Sequence, residues 1–155
     1  MKLQGRSGAT FSKPDVVANL VNAARIRDEL SGWLRASLAL DEEKSSDILL
    51  AVNEALANAA EFAYCQAEQS GPMHTHAEYN PQLATLTVTV RDEGAWRVKD
   101  VNAHNVARGR GVALMHALTD RAAIDSTTAG TCVRLQWDHI RASRHRDADS
   151  QSMTR

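Results

Sequence analysis

The segment from Ala84 to Asp92 (ATLTVTVRD) constrains this chain more than any other, because its apolar and polar residues alternate without a fault as far as Arg91. Ala84, Leu86, Val88 and Val90 fall on one side of an extended backbone, and Thr85, Thr87, Thr89 and Arg91 on the other. That is the period of a half-buried β-strand. Such a strand needs neighbours to pair with and a layer to cover its apolar side. The same parity turns Asp92 toward the covered side, with Val90. A carboxylate aimed into an interior requires a partner or a ligand, so the end of this strand is a candidate site.

The covering layer is written in two helical stretches. Between about Val16 and Leu38, the residues Ala23, Ile26, Leu30, Trp33 and Leu34 share one helix face, with Arg25, Asp28, Glu29 and Arg35 mostly elsewhere. A second helix is expected from Asp41 to about Ala67, before the turn Ser70-Gly71-Pro72. Asp41 is a good N-cap, and Glu42 and Glu43 suit the positive end of the helix dipole. Within this helix Leu49, Val52, Leu56, Ala59, Ala60 and Ala63 form an apolar stripe, and Asp47, Glu54, Asn58 and Glu61 lie opposite. The polar stripe has no Lys or Arg. It sets a carboxylate one turn before an amide, two oxygen donors that suit a hard cation such as Mg²⁺. An ordinary amphipathic helix with its polar face in water fits the same periodicity.

The remaining segments are shorter. Gly8–Ser12 reads as an edge strand stopped by Pro14. Met73–Tyr79 alternates with His74, His76 and Glu78 on one side. Two histidines at i, i+2 are possible metal ligands, but no third is in view and a solvent-facing sheet surface accounts for them. Asn80-Pro81 is a turn, and Glu93 to Arg108 a loop. Gly109 and Gly111 then lead into a helix with Val112, Met115 and Leu118 on its apolar side. Free N–H groups at a helix start suit phosphate, with Arg108 and Arg110 adding charge, although such triplets are also common in flexible loops. Ala122–Ser126 is a strand, Ala129-Gly130 a turn, and Thr131, Val133, Leu135 and Trp137 alternate with Cys132, Arg134 and Gln136 in a last strand. Strands cluster rather than alternate with helices. The expected architecture is α+β, a two-layer sandwich whose mixed or antiparallel sheet is covered on one face by about three helices. One domain is expected over residues 1–140, followed by a disordered polar tail over 141–155.

Several classes fall away. A net charge of −1 leaves no nucleic-acid footprint, and no apolar run approaches the roughly 20 residues that span a bilayer. The first residues lack the apolar centre of a signal peptide, and Cys65 and Cys132 belong to no CxxC pair. A cytoplasmic protein with reduced thiols is expected. There is no GxxxxGK[ST] loop, no strand–GxGxxG–helix unit, and no HExxH or GxSxG motif.

The order of the weak signals carries more than each alone. E-x-x-x-N on a helix, a strand ending in D-x-G, R-G-x-G opening a helix, and G-T before a final strand together resemble the GHKL family of ATPases and kinases. More closely, NEALANAAEFAY, VRDEGAWR, GRGVALMHALTD and GTCVRLQW look like the small bacterial anti-sigma-factor serine/threonine kinases of the general-stress and sporulation type. The similarity runs from about residue 10 to 138. It implies the Bergerat ATP-binding fold, with ATP and Mg²⁺ as ligands. Asn58 would bind Mg²⁺ and Glu54 would be the general base for a substrate serine. Asp92 would accept a hydrogen bond from the adenine amino group, and Gly94 would let the purine approach the backbone. Gly109 and Gly111 would form the hinge and phosphate cradle of an ATP lid, with Arg108 and Arg110 supplying charge, and Thr131 would contact the adenine side. The implied partners are a sigma factor, an anti-anti-sigma (STAS-type) antagonist and a second copy of the chain, with no direct nucleic acid and no membrane. Two residues depart from the family pattern: Phe62 stands where a His is common, and Trp96 where a second Gly would complete D-x-G-x-G. The stretch from Asp92 to Gly109 is also short for a full lid. These departures motivate the alternative of a non-catalytic, partner-switching binding module, with nucleotide as a structural ligand or absent.

Overall fold

The computed structural model describes residues 8–61, 63–64, 69–94 and 111–143. In chain order the elements are β1 (Thr10–Val17), α1 (Leu20–Ser37), β2 (Leu38–Ala39), α2 (Glu42–Glu61), β3 (Pro72–Asn80), β4 (Thr85–Asp92), α3 (residues 111–117), β5 (Arg121–Thr127), β6 (Gly130–Trp137) and β7 (Arg141–Ala142). Five strands form one sheet in the order β1-β3-β4-β6-β5, and each pairing is antiparallel. With its helices on one face, this is the expected α+β sandwich.

The alternation in β4 decides which side is covered. Leu86, Val88 and Val90 are buried together with Val133, Leu135 and Trp137 of β6 and Met73, Ala77 and Tyr79 of β3. Ile26, Leu30 and Leu34 of α1 and Ile48, Val52 and Leu56 of α2 close the same core. Each such side chain stabilises the fold by about 1.5–3 kcal/mol through burial. On α2 the buried stripe is rotated from the expected one. Ile48, Ala51 and Ala55 are fully covered while Leu49 and Ala60 are only half-buried. The reason is that α2 meets the sheet on one side and α1 on another. This double cover also buries Asn58, at 4% exposure.

Helix starts follow their caps. Asn19, whose side chain accepts from the Asn22 amide at 2.7 Å, begins α1 four residues later than the hydrophobic period implied. Asp41 caps α2 as expected, accepting from the Lys44 amide at 2.7 Å. The residue just past α3 is fixed to β6, where the Trp137 indole donates to the Leu118 carbonyl at 2.7 Å.

Beyond the late start of α1, further boundaries differ from the sequence reading. Helix α2 ends at Glu61 rather than near Ala67, with residues 63–64 in a turn. Strand β1 is not stopped by Pro14 but continues to Val17, with a register shift between Lys13 and Val16 and Asp15 at φ 55°. An edge strand tolerates proline at such a bulge, because the missing N–H faces no partner strand. Ala84 stands outside β4 at φ 53°, and its carbonyl accepts from the Ile140 amide at 2.8 Å. Arg141 and Ala142, expected to open a tail with nothing to pair, form β7 against β2, and the Ser143 amide donates to the Ser37 carbonyl at 3.0 Å. The rest of that stretch lies outside the described residues. Among the described residues no helix is long and apolar enough to cross a membrane.

Candidate functional site

The end of β4 is where sequence parity placed a carboxylate in the interior, and Asp92 is indeed 4% exposed. It pairs across the ladder with Thr131 of β6. Asp92 Oδ1 accepts from the Gly94 amide at 3.0 Å and from the Thr131 amide at 3.3 Å. Two glycines make the corner sterically possible. A Cβ on Gly94 would lie 1.9 Å from the Ala63 carbonyl oxygen, beyond the end of α2. Gly130 sits at φ 148°, and a Cβ there would lie 2.1 Å from the Asp92 carbonyl oxygen. Thr131 is buried, its hydroxyl 3.2 Å from Ser126 Oγ. A groove of about 390 Å³, lined in part by Asp92, Glu93, Asp125, Gly130 and Thr131, opens at this edge of the sheet.

A second group converges on α2. Glu54 and Asn58 stand one turn apart, and Gly111, the first described residue of α3, comes against both. A Cβ on Gly111 would lie 3.0 Å from Glu54 Oε2 and 3.7 Å from Asn58 Nδ2 and Oδ1. The Asn58 amide nitrogen is buried with no hydrogen-bond partner among the described residues. Such an unpaired donor costs on the order of 1–3 kcal/mol, and it is retained beside a carboxylate and a glycine. Glu54 remains half-buried. Arg108, Gly109 and Arg110 lie outside the described residues, as do Phe62 and Trp96.

The donor set fits a magnesium–triphosphate better than a protein-caged metal. Among the described residues no three His, Cys, Asp or Glu side chains gather into a metal site. A cation here would therefore rest on the Asn58 amide oxygen together with ligand oxygens and water, the usual arrangement for Mg²⁺. The unpaired Asn58 N–H is a donor suited to a phosphate oxygen. The two histidines of β3 are only partly engaged, since His74 Nε2 is buried with no hydrogen-bond partner among the described residues, 3.9 Å from Glu93 Oε1. His74 Nδ1 accepts from the Asp15 amide at 3.0 Å, and His76 Nε2 lies 3.8 Å from Glu78.

One residue that sequence reasoning did not single out is bonded to the Asp92–Gly94 corner. Tyr64, three residues past the end of α2, donates from its hydroxyl to the Pro72 carbonyl at 2.5 Å and accepts from the Glu93 amide at 2.9 Å. Burial pushes its phenol above the ordinary value of 10.0, the Glu93 amide opposes this, and the Asp92 and Glu93 charges add to the rise. The hydroxyl thus keeps the proton it donates. Its only sequence signal is its place at the end of the NEALANAAEFAY segment, where no periodicity marks it.

Comparisons with known proteins bear on the fold that carries this site. A family model for the histidine kinase-like ATPase domain matches residues 16–137. The RsbU and RsbW domains of Rv1364c from Mycobacterium tuberculosis superpose with a TM-score of 0.66 at 23% identity, over 86% of this chain and 33% of that one. The histidine kinase domain of a blue-light activated histidine kinase from Erythrobacter litoralis gives a TM-score of 0.50 at 19% identity, over 76% of this chain and 59% of that one. The chain therefore spans a third of the first structure and about three-fifths of the second. At these identities the likeness is one of fold.

Proposed function

The chain belongs to the histidine kinase-like ATPase domain family, and from that premise we propose that it is a cytoplasmic anti-sigma-factor serine kinase. In this reading it binds ATP with Mg²⁺, sequesters a sigma factor, and phosphorylates a serine of a STAS-type antagonist, working as a homodimer. The observation that carries the reading is the meeting of Glu54, the unpaired Asn58 amide and Gly111 on one side of α2. The buried Asp92 corner, with its own set of contacts, completes the pocket.

Each residue then has a role. Asp92 takes a hydrogen bond from the adenine amino group, Gly94 lets the purine lie against the backbone, and Thr131 meets the adenine side through its hydroxyl or a water. Gly109 and Gly111 cradle the phosphates, with Arg108 and Arg110 adding positive charge. Asn58 holds Mg²⁺, which when bound supplies charge neutralisation at the phosphates. Glu54 receives the proton of the substrate serine hydroxyl as that oxygen bonds to the γ-phosphorus. The bond from this phosphorus to the bridging oxygen breaks, and ADP leaves with that oxygen. Phosphoryl transfer asks mainly for positioning and charge neutralisation, and these side chains are of the types that provide both.

The test is transfer of phosphate from ATP–Mg²⁺ to a serine of the antagonist, followed by intact mass. Glu54→Gln should slow transfer by about 10²–10⁴-fold while nucleotide still binds. Equal rates in wild type and variant would remove Glu54 as the base. Nucleotide binding with no transfer to the true antagonist would favour the non-catalytic module, which Phe62 and Trp96 in the family's motif positions support.

A further inference from the structure

We propose that Tyr64 is a positioning residue that fixes the base end of the nucleotide pocket relative to its phosphate end, an inference that rests on the reading above. Three segments meet at this one side chain. It lies three residues past the end of α2, which carries Glu54 and Asn58 ten and six residues earlier. Its hydroxyl donates to the carbonyl of Pro72, the first residue of β3, and accepts from the amide of Glu93, between Asp92 and Gly94. The hydroxyl's one proton and an acceptor site are both in use, so it holds two backbones at once.

The surroundings are shaped to this ring. A Cβ on Gly71 would lie 2.5 Å from Tyr64 Cε1, so the ring occupies space that any other residue at 71 would claim. Gly71 is itself held, its carbonyl accepting from the Ala18 amide at 2.9 Å. The neighbouring Ala63 carbonyl is the group against which Gly94 closes. The Asp92–Gly94 corner therefore touches the segment just past α2 at two adjacent residues, once by contact and once by hydrogen bond. Asp92 reaches β6 through the Thr131 amide, but of these bonds only the one to Tyr64 ties the corner to the segment continuing from α2. Releasing the hydroxyl frees the Glu93 amide and lets the corner shift against Glu54 and Asn58 while the sheet stays paired.

Tyr64→Phe keeps the ring over Gly71 and removes both bonds. ATP–Mg²⁺ affinity, measured by calorimetry, should fall by about tenfold, the effect of one lost hydrogen bond in registering a ligand. Mg²⁺–tripolyphosphate has no base to register, and its affinity should not change. Gly71→Ala leaves the hydroxyl chemically intact but displaces the ring, and should give the same selective loss. Hydrogen exchange at the Glu93 amide should quicken in both variants while the amides within α2 keep their protection. Equal ATP binding with unchanged Glu93 exchange would overturn the proposal. Parallel loss of ATP and tripolyphosphate would assign Tyr64 a merely structural role and overturn it as well. If the wild type bound neither ligand, the nucleotide-pocket reading would fail and the positioning role with it. That result differs from a wild type that binds ATP and a variant that binds it as well.

Discussion

The two ends of the candidate pocket are built in opposite ways. At the base end, Asp92 is held by the amides of Gly94 and Thr131, and glycines at 94 and 130 allow backbone contacts that no side chain would permit. At the phosphate end, Glu54, Asn58 and Gly111 converge, and the buried Asn58 amide nitrogen is left unpaired among the described residues. The first end is built on strand pairing, with Gly94 closing against Ala63 and the Glu93 amide held by Tyr64. The second leaves a buried polar atom whose partner, in the proposed reading, is a ligand. Damage to the base end should therefore cost stability and binding together, and damage to the phosphate end should cost binding or chemistry with the fold intact.

The largest effect is expected at Gly130. A Cβ there meets the Asp92 carbonyl at 2.1 Å and φ is 148°, so Gly130→Ala should destabilise the protein by about 3 kcal/mol in urea unfolding. A loss well under about 1 kcal/mol would show that the base end is not rigidly built. Asn58→Ala sharpens the contrast from the other side. It removes a nitrogen with no partner, so unfolding free energy should change by no more than about 1 kcal/mol. The Mg²⁺ dependence of ATP affinity should meanwhile disappear. A large destabilisation with Mg²⁺ dependence retained would reverse the assignment of the two ends.

The smallest effect is expected at an exposed pair away from both ends, which sets the background for ordinary surface charge. The Arg121 guanidinium, hydrogen-bonded to Asp138 at 3.1 and 3.3 Å, holds that carboxyl below its ordinary value of 3.8 despite an opposing effect of burial, with Gln136 assisting. A carboxyl whose folded value is depressed contributes stability above its unfolded value, and that contribution is lost as pH falls through the folded value. Wild type should thus be slightly more stable than Arg121→Gln at neutral pH, with the gap closing in unfolding curves taken below pH 3.8. A gap that widened in acid would mean the pair is not what depresses Asp138.

Much of the base end was legible because it rests on local parity. The alternation through Val90 fixes the direction of Asp92, and the order of E-x-x-x-N, D-x-G and G-T places the other residues on the right elements. The helix faces were read less well. A period alone does not say that α2 is covered by both a sheet and a helix, which is why Asn58 is buried and Leu49 is not. Features that depend on distant pairing left no local trace. The bulge that carries β1 past Pro14 is set by β3, the β2–β7 clip joins segments a hundred residues apart, and Tyr64 acquires its role only when Glu93 and Pro72 arrive beside it. Arg108, Gly109 and Arg110 fall outside the described residues, so their expected contact with phosphate stands as a proposal.

The most direct measurement is thermal melting of wild type and Asp92→Asn with and without ATP–Mg²⁺. Asparagine keeps an oxygen for the Gly94 and Thr131 amides, so both proteins should fold. At about 100 times its Kd the ligand should add roughly 2.7 kcal/mol to wild type, and the gain should vanish in Asp92→Asn. An unmoved wild-type midpoint in millimolar ATP, or an equal gain in the variant, would contradict a nucleotide pocket built on Asp92.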